Sequence, residues 1–367
     1  MPKEVTKHVY EEKTVQVKKI IAEDAWIQKL ETDGGAQRAV LYKSCNMRVN
    51  ETEKIKVNTT ADKLKLGTGG WDIVVSSLET EGKQAGDGHI MKARYTSSQH
   101  SVYAVDDPMH PDHSIFQRPF TLHRRSVLLA ELHSMLPVLL GALFLQNENQ
   151  QVGIVLSDEA ALPAGLSDHM RRWKDDSRVH VVTTGQAFGG TEEAVTIPNA
   201  LQWLVLKKDV DVLIISMGHG TVGTNTPYGF SGMALASWAN TVGALEGEPV
   251  WIPRISFHER RQRHQGLSHH TITPLQRFTY APSTLVLPLL HPQYMEKLHC
   301  QTMPLQCLNH FHMVSLDVEA LTALWLQRYK TEKHVIRTMG MNVDKNLEFV
   351  KGILSAVKYS QTDTCQQ

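Results

Sequence analysis

The chain has 367 residues, 41% of them apolar and 21% charged, with 38 Lys and Arg balanced by 38 Asp and Glu. That length suits two domains or one large domain with an appendage, and the apolar fraction supports a packed core, which excludes a disordered chain. Zero net charge removes the footprint of a general nucleic-acid binder. Four cysteines (Cys45, Cys300, Cys307, Cys365) without CxxC spacing rule out a disulfide framework.

From Thr14 to Val105 the apolar signal comes in short, partly alternating runs: TVQVKKII, AVLYK, KIKVNTT, WDIVV and SVYAV. Gly34-Gly35 and the turn Gly67–Gly70 punctuate them, as in a small antiparallel barrel or sandwich. Residues 1–105 are therefore expected to form a β-rich domain. Residues 106–125, rich in Pro, His and charge, read as a linker. The basic pair Lys92 and Arg94 falls on one side of a strand, where it either completes a pocket or grips the second domain.

The rhythm then changes. Apolar runs start at Val127, Val152, Val179, Val212, Val250 and Leu285, about 25–38 residues apart, with helical segments between them. That spacing fits βαβ crossovers. Residues 126–360 are expected to be an α/β domain, a mostly parallel Rossmann-like sheet flanked by helices. A further strand (HFHMVSL), a helix (DVEALTALWLQRYK) and a last helix near Asp344–Lys358 continue it. The longest apolar stretch, Met135–Leu145, is about half of the roughly 20 residues that a membrane helix needs. The N-terminus lacks an apolar signal region, so the expectation is a cytoplasmic protein without a membrane.

In such a sheet all strand C-termini emerge at one edge, and ligands bind there. The residues after each strand hold the chemistry: His133-Ser134, then Asp158, then Gly185–Glu193, then Met217–Thr226, then Arg254 and Arg260–Thr271. Loops at the opposite ends are ordinary polar turns. Gly189, Gly190, Gly218, Gly220 and Thr224 lie in glycine-rich loops that either turn the chain or offer amides to phosphate or carboxylate. Arg254, Arg260 and Arg263 carry planar donors suited to such anions. His264, His269 and His270 supply acid–base groups, with Ser268 as the N-cap that seats two of them on a first helical turn. Asp158, Glu193 and His133 complete the candidate catalytic set, and Ser134 joins the ligand-binding one. No cofactor is selected: a divalent metal is not favoured, because HExxH, His-x-His and CxxC spacings are missing, and no GxSxG elbow marks a nucleophilic serine.

The ordered motifs GTGGWDIVV, GHIMKARYT, LHSMLP, GQAFGGTEEAVT, SMGHGTVGTNTPYGFSG, PRISFHERRQRHQGLSHHT and TMG (Thr338–Gly340) resemble those of a bacterial family catalogued as domain of unknown function 3866, from about Val15 to Val350. The resemblance implies a shared fold and site, and no reaction. The family pattern differs at Glu159-Ala160, His219 and His258-Glu259, which sets these apart from the shared candidates. The His-rich stretch His291–His312 falls outside the motifs and reads as surface. Two functions follow: an enzyme acting on a small anionic metabolite (phosphorylated, nucleotide-like or carboxylate), or a non-catalytic sensor whose β-rich head relays ligand binding.

Overall fold

The computed structural model describes residues 10–66, 70–331, 335–338 and 340–363. Most of the expected Gly67–Gly70 turn, Met339 of the TMG motif and Cys365 lie outside the described residues.

Strands β1 (Glu12–Glu23), β2 (Ile27–Thr32), β3 (Arg38–Tyr42), β4 (Lys54–Asn58) and β5 (Asp72–Ser77) close into a barrel, ordered β1-β2-β3-β5-β4 with β4 back on β1. The short helix α1 (Thr60–Lys63) joins β4 to β5. β3 and β5 run parallel, and the other pairs are antiparallel. Alternation turns Val15, Val17, Leu30, Leu41, Ile55, Val57 and Val74 inward to a small core. Register shifts in the long β1 let it bend around the barrel. Five closed strands of this kind make an OB-type barrel. β6 (Ile90–Lys92) and β7 (His100–Val102) form a separate antiparallel pair.

The body is an eight-stranded parallel sheet, as the repeating strand–helix rhythm requires. Its elements are β8 (Ser126–Ala130), α2 (Met135–Gln146), β9 (Val152–Ser157), α3 (Asp168–Trp173), β10 (Val179–Thr183), β11 (Glu192–Glu193), α4 (Ile197–Leu206), β12 (Val212–Met217), α5 (Ala234–Ala244) and β13 (Glu248–Trp251). A small antiparallel pair follows, β14 (Ile255–Ser256) with β15 (Gly266–Leu267), then α6 (His269–Phe278), β16 (Ser283–Pro288), α7 (Pro292–Gln306), β17 (Phe311–Leu316) and α8 (Glu319–Tyr329). The pair β18 (Arg337–Thr338) and β19 (Met341–Asn342) precedes α9 (Leu347–Asp363). Strand order in the sheet is β11-β10-β9-β12-β8-β13-β16-β17. Leu128, Ala130, Ile154, Leu156 and Ile214 bury one face under α2, α8 and α9, and Val127, Leu129, Val155, Leu213 and Ile215 bury the other under α4 and α5. Both faces are dry, so the central strands read as continuous apolar runs.

Two features differ from the sequence reading. The stretch expected as His-rich surface holds α7, whose Leu298, Thr302 and Leu305 are buried. Pro292 at its first turn and Pro304 within it obscured the helical period. Residues 106–125, expected as linker, pack along α4, where Phe116 stacks on Trp203 and Gln202 Nε2 donates to Ile115 O at 2.7 Å. No described helix is long and apolar enough to cross a membrane.

Connections diverge at the sheet's centre. β8 passes through α2 to β9 on one side, while its neighbour β13 passes on to β16 on the other. This is a topological switch point, where the ends of parallel strands leave a crevice.

Candidate functional site

The crevice between the ends of β8 and β13 is built on a buried ion pair. Glu131, the residue after β8, and Arg254, three residues past β13, are 1% and 6% exposed. Arg254 Nη1 donates to Glu131 Oε1 at 2.7 Å. His270 Nδ1 lies 2.9 Å from the same oxygen, and with its hydrogen there it donates to the carboxylate. Burial alone would push the Glu131 pKa up; the Arg254 charge and the His270 hydrogen bond outweigh it and hold it at about 2. Among the described residues Glu131 Oε2 has no hydrogen-bond partner.

Three imidazoles stand over this pair. Ser268 caps α6, its Oγ accepting from His270 N at 3.1 Å, as the sequence pattern predicts, and His269 and His270 occupy the first turn. His264 Nδ1 meets Ser268 Oγ at 2.8 Å, which ties the preceding loop to the same cap. Ring centroids are 4.9 Å apart for His264–His269, 4.7 Å for His264–His270 and 4.4 Å for His269–His270. One ligand atom from each of the three falls within 4.8 Å of the others. Phe230 stacks on His270 at 3.9 Å and 2°, which fixes the ring plane. Burial, then the neighbouring Arg254, brings the His264 pKa down to about 3, and burial with His270 beside it brings His269 to about 4. Both rings are neutral at pH 7. His269 Nε2 is buried without a hydrogen-bond partner among the described residues. Arg263 Nε donates to His264 Nε2 at 3.2 Å.

A second compartment of the same sheet edge is a cavity of about 420 Å³ beside His133, Ser134, His169, Arg172, His219 and Arg337. His133 Nδ1 donates to Met217 O at 3.3 Å and Nε2 faces Ser167 Oγ at 2.8 Å, so both ring nitrogens are engaged. Burial, then the adjacent His219, drives its pKa well down. Ser134 Oγ donates to Thr338 Oγ1 at 3.0 Å, which brings the late TMG motif to the start of α2.

Asp158 and Glu193 are gathered elsewhere, Asp158 just past β9 and Glu193 in β11, paired with Thr183 at the end of β10. Asp158 Oδ2 accepts from Gln186 N at 2.7 Å. Glu193 accepts from Thr183 Oγ1 and Gly189 N, each at 2.7 Å, and its Oε2 lies 3.3 Å from Nζ of the buried Lys92. The Gly189 amide of this glycine loop thus holds the chain's own carboxylate. The Gly190 amide donates to Thr183 Oγ1, and a Cβ at Gly190 would come within 2.5 Å of Val181 O, so close packing demands glycine. Gly218 is likewise pressed on Ala161, where a Cβ would lie 2.3 Å from the carbonyl oxygen. Gly220 and Thr224 sit on an exposed loop closed by Thr224 N on Gly229 O at 2.8 Å. Arg260 is exposed. The candidates therefore form separate groups along one edge: Arg254, Arg263, His264, Ser268, His269 and His270; His133 and Ser134; Asp158, Gly189, Gly190 and Glu193.

Lys174, just past α3, lies against the Trp26 ring of the barrel and donates to Gly190 O at 2.5 Å. Burial, only partly offset by Glu193, lowers its pKa to about 7. The unfolded chain therefore holds this proton up to about pH 10.4 while the folded one releases it near 7, so its effect on stability is most favourable above that window and is lost as pH falls through it. The melting temperature of the wild type, measured relative to Lys174→Met, is expected to rise between pH 7 and 10. A constant difference would remove Lys174 from the linkage.

Glu131, Phe230 and Lys174 were missed in the sequence. Glu131 had a readable signal, a carboxylate ending the apolar run of β8; Phe230 and Lys174 had none. The chain belongs to the family described as a protein of unknown function (DUF3866), whose model matches residues 38–357, from β3 into α9. No curated protein matches the chain.

Proposed function

We propose that the protein is an enzyme acting on a small anionic metabolite, bound at the C-terminal edge of the parallel sheet. The observation that carries this reading is the buried Glu131–Arg254 pair with three imidazoles above it at the switch point. A buried ion pair gives little net stability over an apolar replacement, and the neutral rings of His264 and His269 add no charge pairing. Such an arrangement suits chemistry better than folding. Arg263 and the exposed Arg260 would orient the anion, with Arg172 and Arg337 in the adjoining cavity. His269 and His270 would exchange protons with it, and Glu131 is the carboxylate partner that orients His270.

The sensor reading is favoured by α3. Asp168 pairs with Lys29 of the barrel at 2.7 Å and Arg171 with Asp24 at 2.6 Å. The same helix presents His169 and Arg172 to the cavity beside His133. A ligand there would pull on the barrel through one helix. Thermal-shift screening of phosphorylated, nucleotide and carboxylate metabolites, followed by turnover assays on each hit, separates the two. We expect a hit that is turned over, and His269→Ala/His270→Ala should abolish it while leaving the melting temperature nearly intact. Tight binding without turnover would establish the sensor, and wild-type affinity in the double variant would place the ligand outside this crevice.

A further inference from the structure

We propose that His264, His269 and His270 form a binding site for one divalent transition-metal ion of the zinc class, with Glu131 orienting His270 from behind. Three imidazoles supplying ligand atoms within 4.8 Å of one another need only side-chain adjustment to close on an ion, since Zn–N bonds of about 2.0–2.1 Å imply nitrogens about 3.3 Å apart. Imidazole is the ligand that zinc and its neighbours prefer, and it must be neutral to bind.

The surroundings are those of a metal site. His270 Nδ1 lies 2.9 Å from the Glu131 carboxylate and 3.1 Å from Arg254 Nη1; in the tautomer that donates to the carboxylate Nε2 is bare, the carboxylate–histidine pattern of second partners around metals. His264 has the corresponding arrangement: Nδ1 faces Ser268 Oγ, leaving Nε2 as the acceptor for Arg263. Arg263 is only partly buried, so its Nε–H can give way to an ion at this nitrogen. His269 Nε2 is buried without a hydrogen-bond partner among the described residues, and a cation held by the three rings would satisfy it as an acceptor. Phe230 packs on His270 at 3.9 Å and meets His269 edge-on at 5.2 Å, so the rings are held before any ion arrives. No local spacing motif reveals the set, because His264 comes from a 3₁₀ turn (Gln262–His264) and the other two from the first turn of α6.

The site uses two histidines of the proposed enzyme function, so metal ligation and proton exchange at His269 and His270 are alternatives; the site does not require that function, and the test uses the metal alone. Full-length protein stripped with chelator is titrated with Co²⁺, followed by visible d–d absorption, and with Zn²⁺ in competition. One equivalent is expected to bind with the intense bands of a four- or five-coordinate ion, and His269→Ala and His270→Ala, each checked for fold by circular dichroism, should lose that band. Because His264 is buried and its loss could unfold the loop, Arg263→Ala serves as the probe of that ligand and should bind Co²⁺ more tightly than wild type. Absence of a stoichiometric band, or a band unchanged in both histidine variants, would overturn the proposal; weaker binding in Arg263→Ala would remove His264 from it. Anion screening on the stripped protein is scored separately, so failure of the enzyme reading leaves the metal result standing.

Discussion

Arg254→Leu is expected to lower the stability of the α/β body by about 3–5 kcal/mol, because it leaves the 1% exposed Glu131 carboxyl without its guanidinium partner. The remaining donor, His270 at 2.9 Å, cannot replace a guanidinium in a site where burial already favours the uncharged acid. Glu131→Leu/Arg254→Leu removes both charges together and should recover most of the loss, since a buried pair and an apolar pair of similar volume are close in stability. Urea unfolding followed by the far-ultraviolet signal of the body measures both. A loss below about 1 kcal/mol for Arg254→Leu would mean that Glu131 takes up a proton cheaply once the Arg254 charge that holds its pKa down is gone. Recovery in the double variant would show that the pair is retained for the site it supports and not for folding.

That pair also marks the limit of what a sequence discloses. The strands and most of the helices of the body were legible because each is a continuous apolar run or periodic segment bounded by polar turns, and the parallel sheet follows from their alternation. The His264–His270 cluster was legible too, since its members are six residues apart at most and the Ser268 cap is a local signal. Glu131 and Arg254 are 123 residues apart, and their meeting depends on β13 lying beside β8, a strand order that no local pattern encodes. The helix α7 was hidden for a different reason: two prolines and several histidines masked the spacing of Leu298, Thr302 and Leu305, which only packing reveals. The barrel was expected as barrel or sandwich, and its closure is decided by β4 returning to β1, again a long-range pairing.

Glu193 poses the opposite question, a carboxylate whose residue type suggests chemistry and whose contacts suggest structure. Lys92 is 0% exposed, with Nζ 3.3 Å from Glu193 Oε2 and donating to Gly185 O at 3.0 Å. Burial lowers the Lys92 pKa, and Glu193 is the main force opposing that. Glu193→Ala would strand this ammonium with a single carbonyl and deprive Thr183 Oγ1 and the Gly189 amide of their acceptor. The expected cost is about 3–5 kcal/mol, seen as a lowered urea midpoint and as faster proteolysis of the loop after β10. Lys92→Met/Glu193→Gln should regain most of that loss, because the amide oxygen still accepts from the Gly189 amide, the amide NH2 in place of Oε2 can donate to Thr183 Oγ1, and the stranded charge is gone. Metal and anion binding at the histidine crevice should be unchanged in the double variant, since Glu193, in β11, belongs to the separate group beside the ends of β9 and β10. If binding there is lost while the fold is regained, the two groups are coupled and Glu193 rejoins the chemistry of the site.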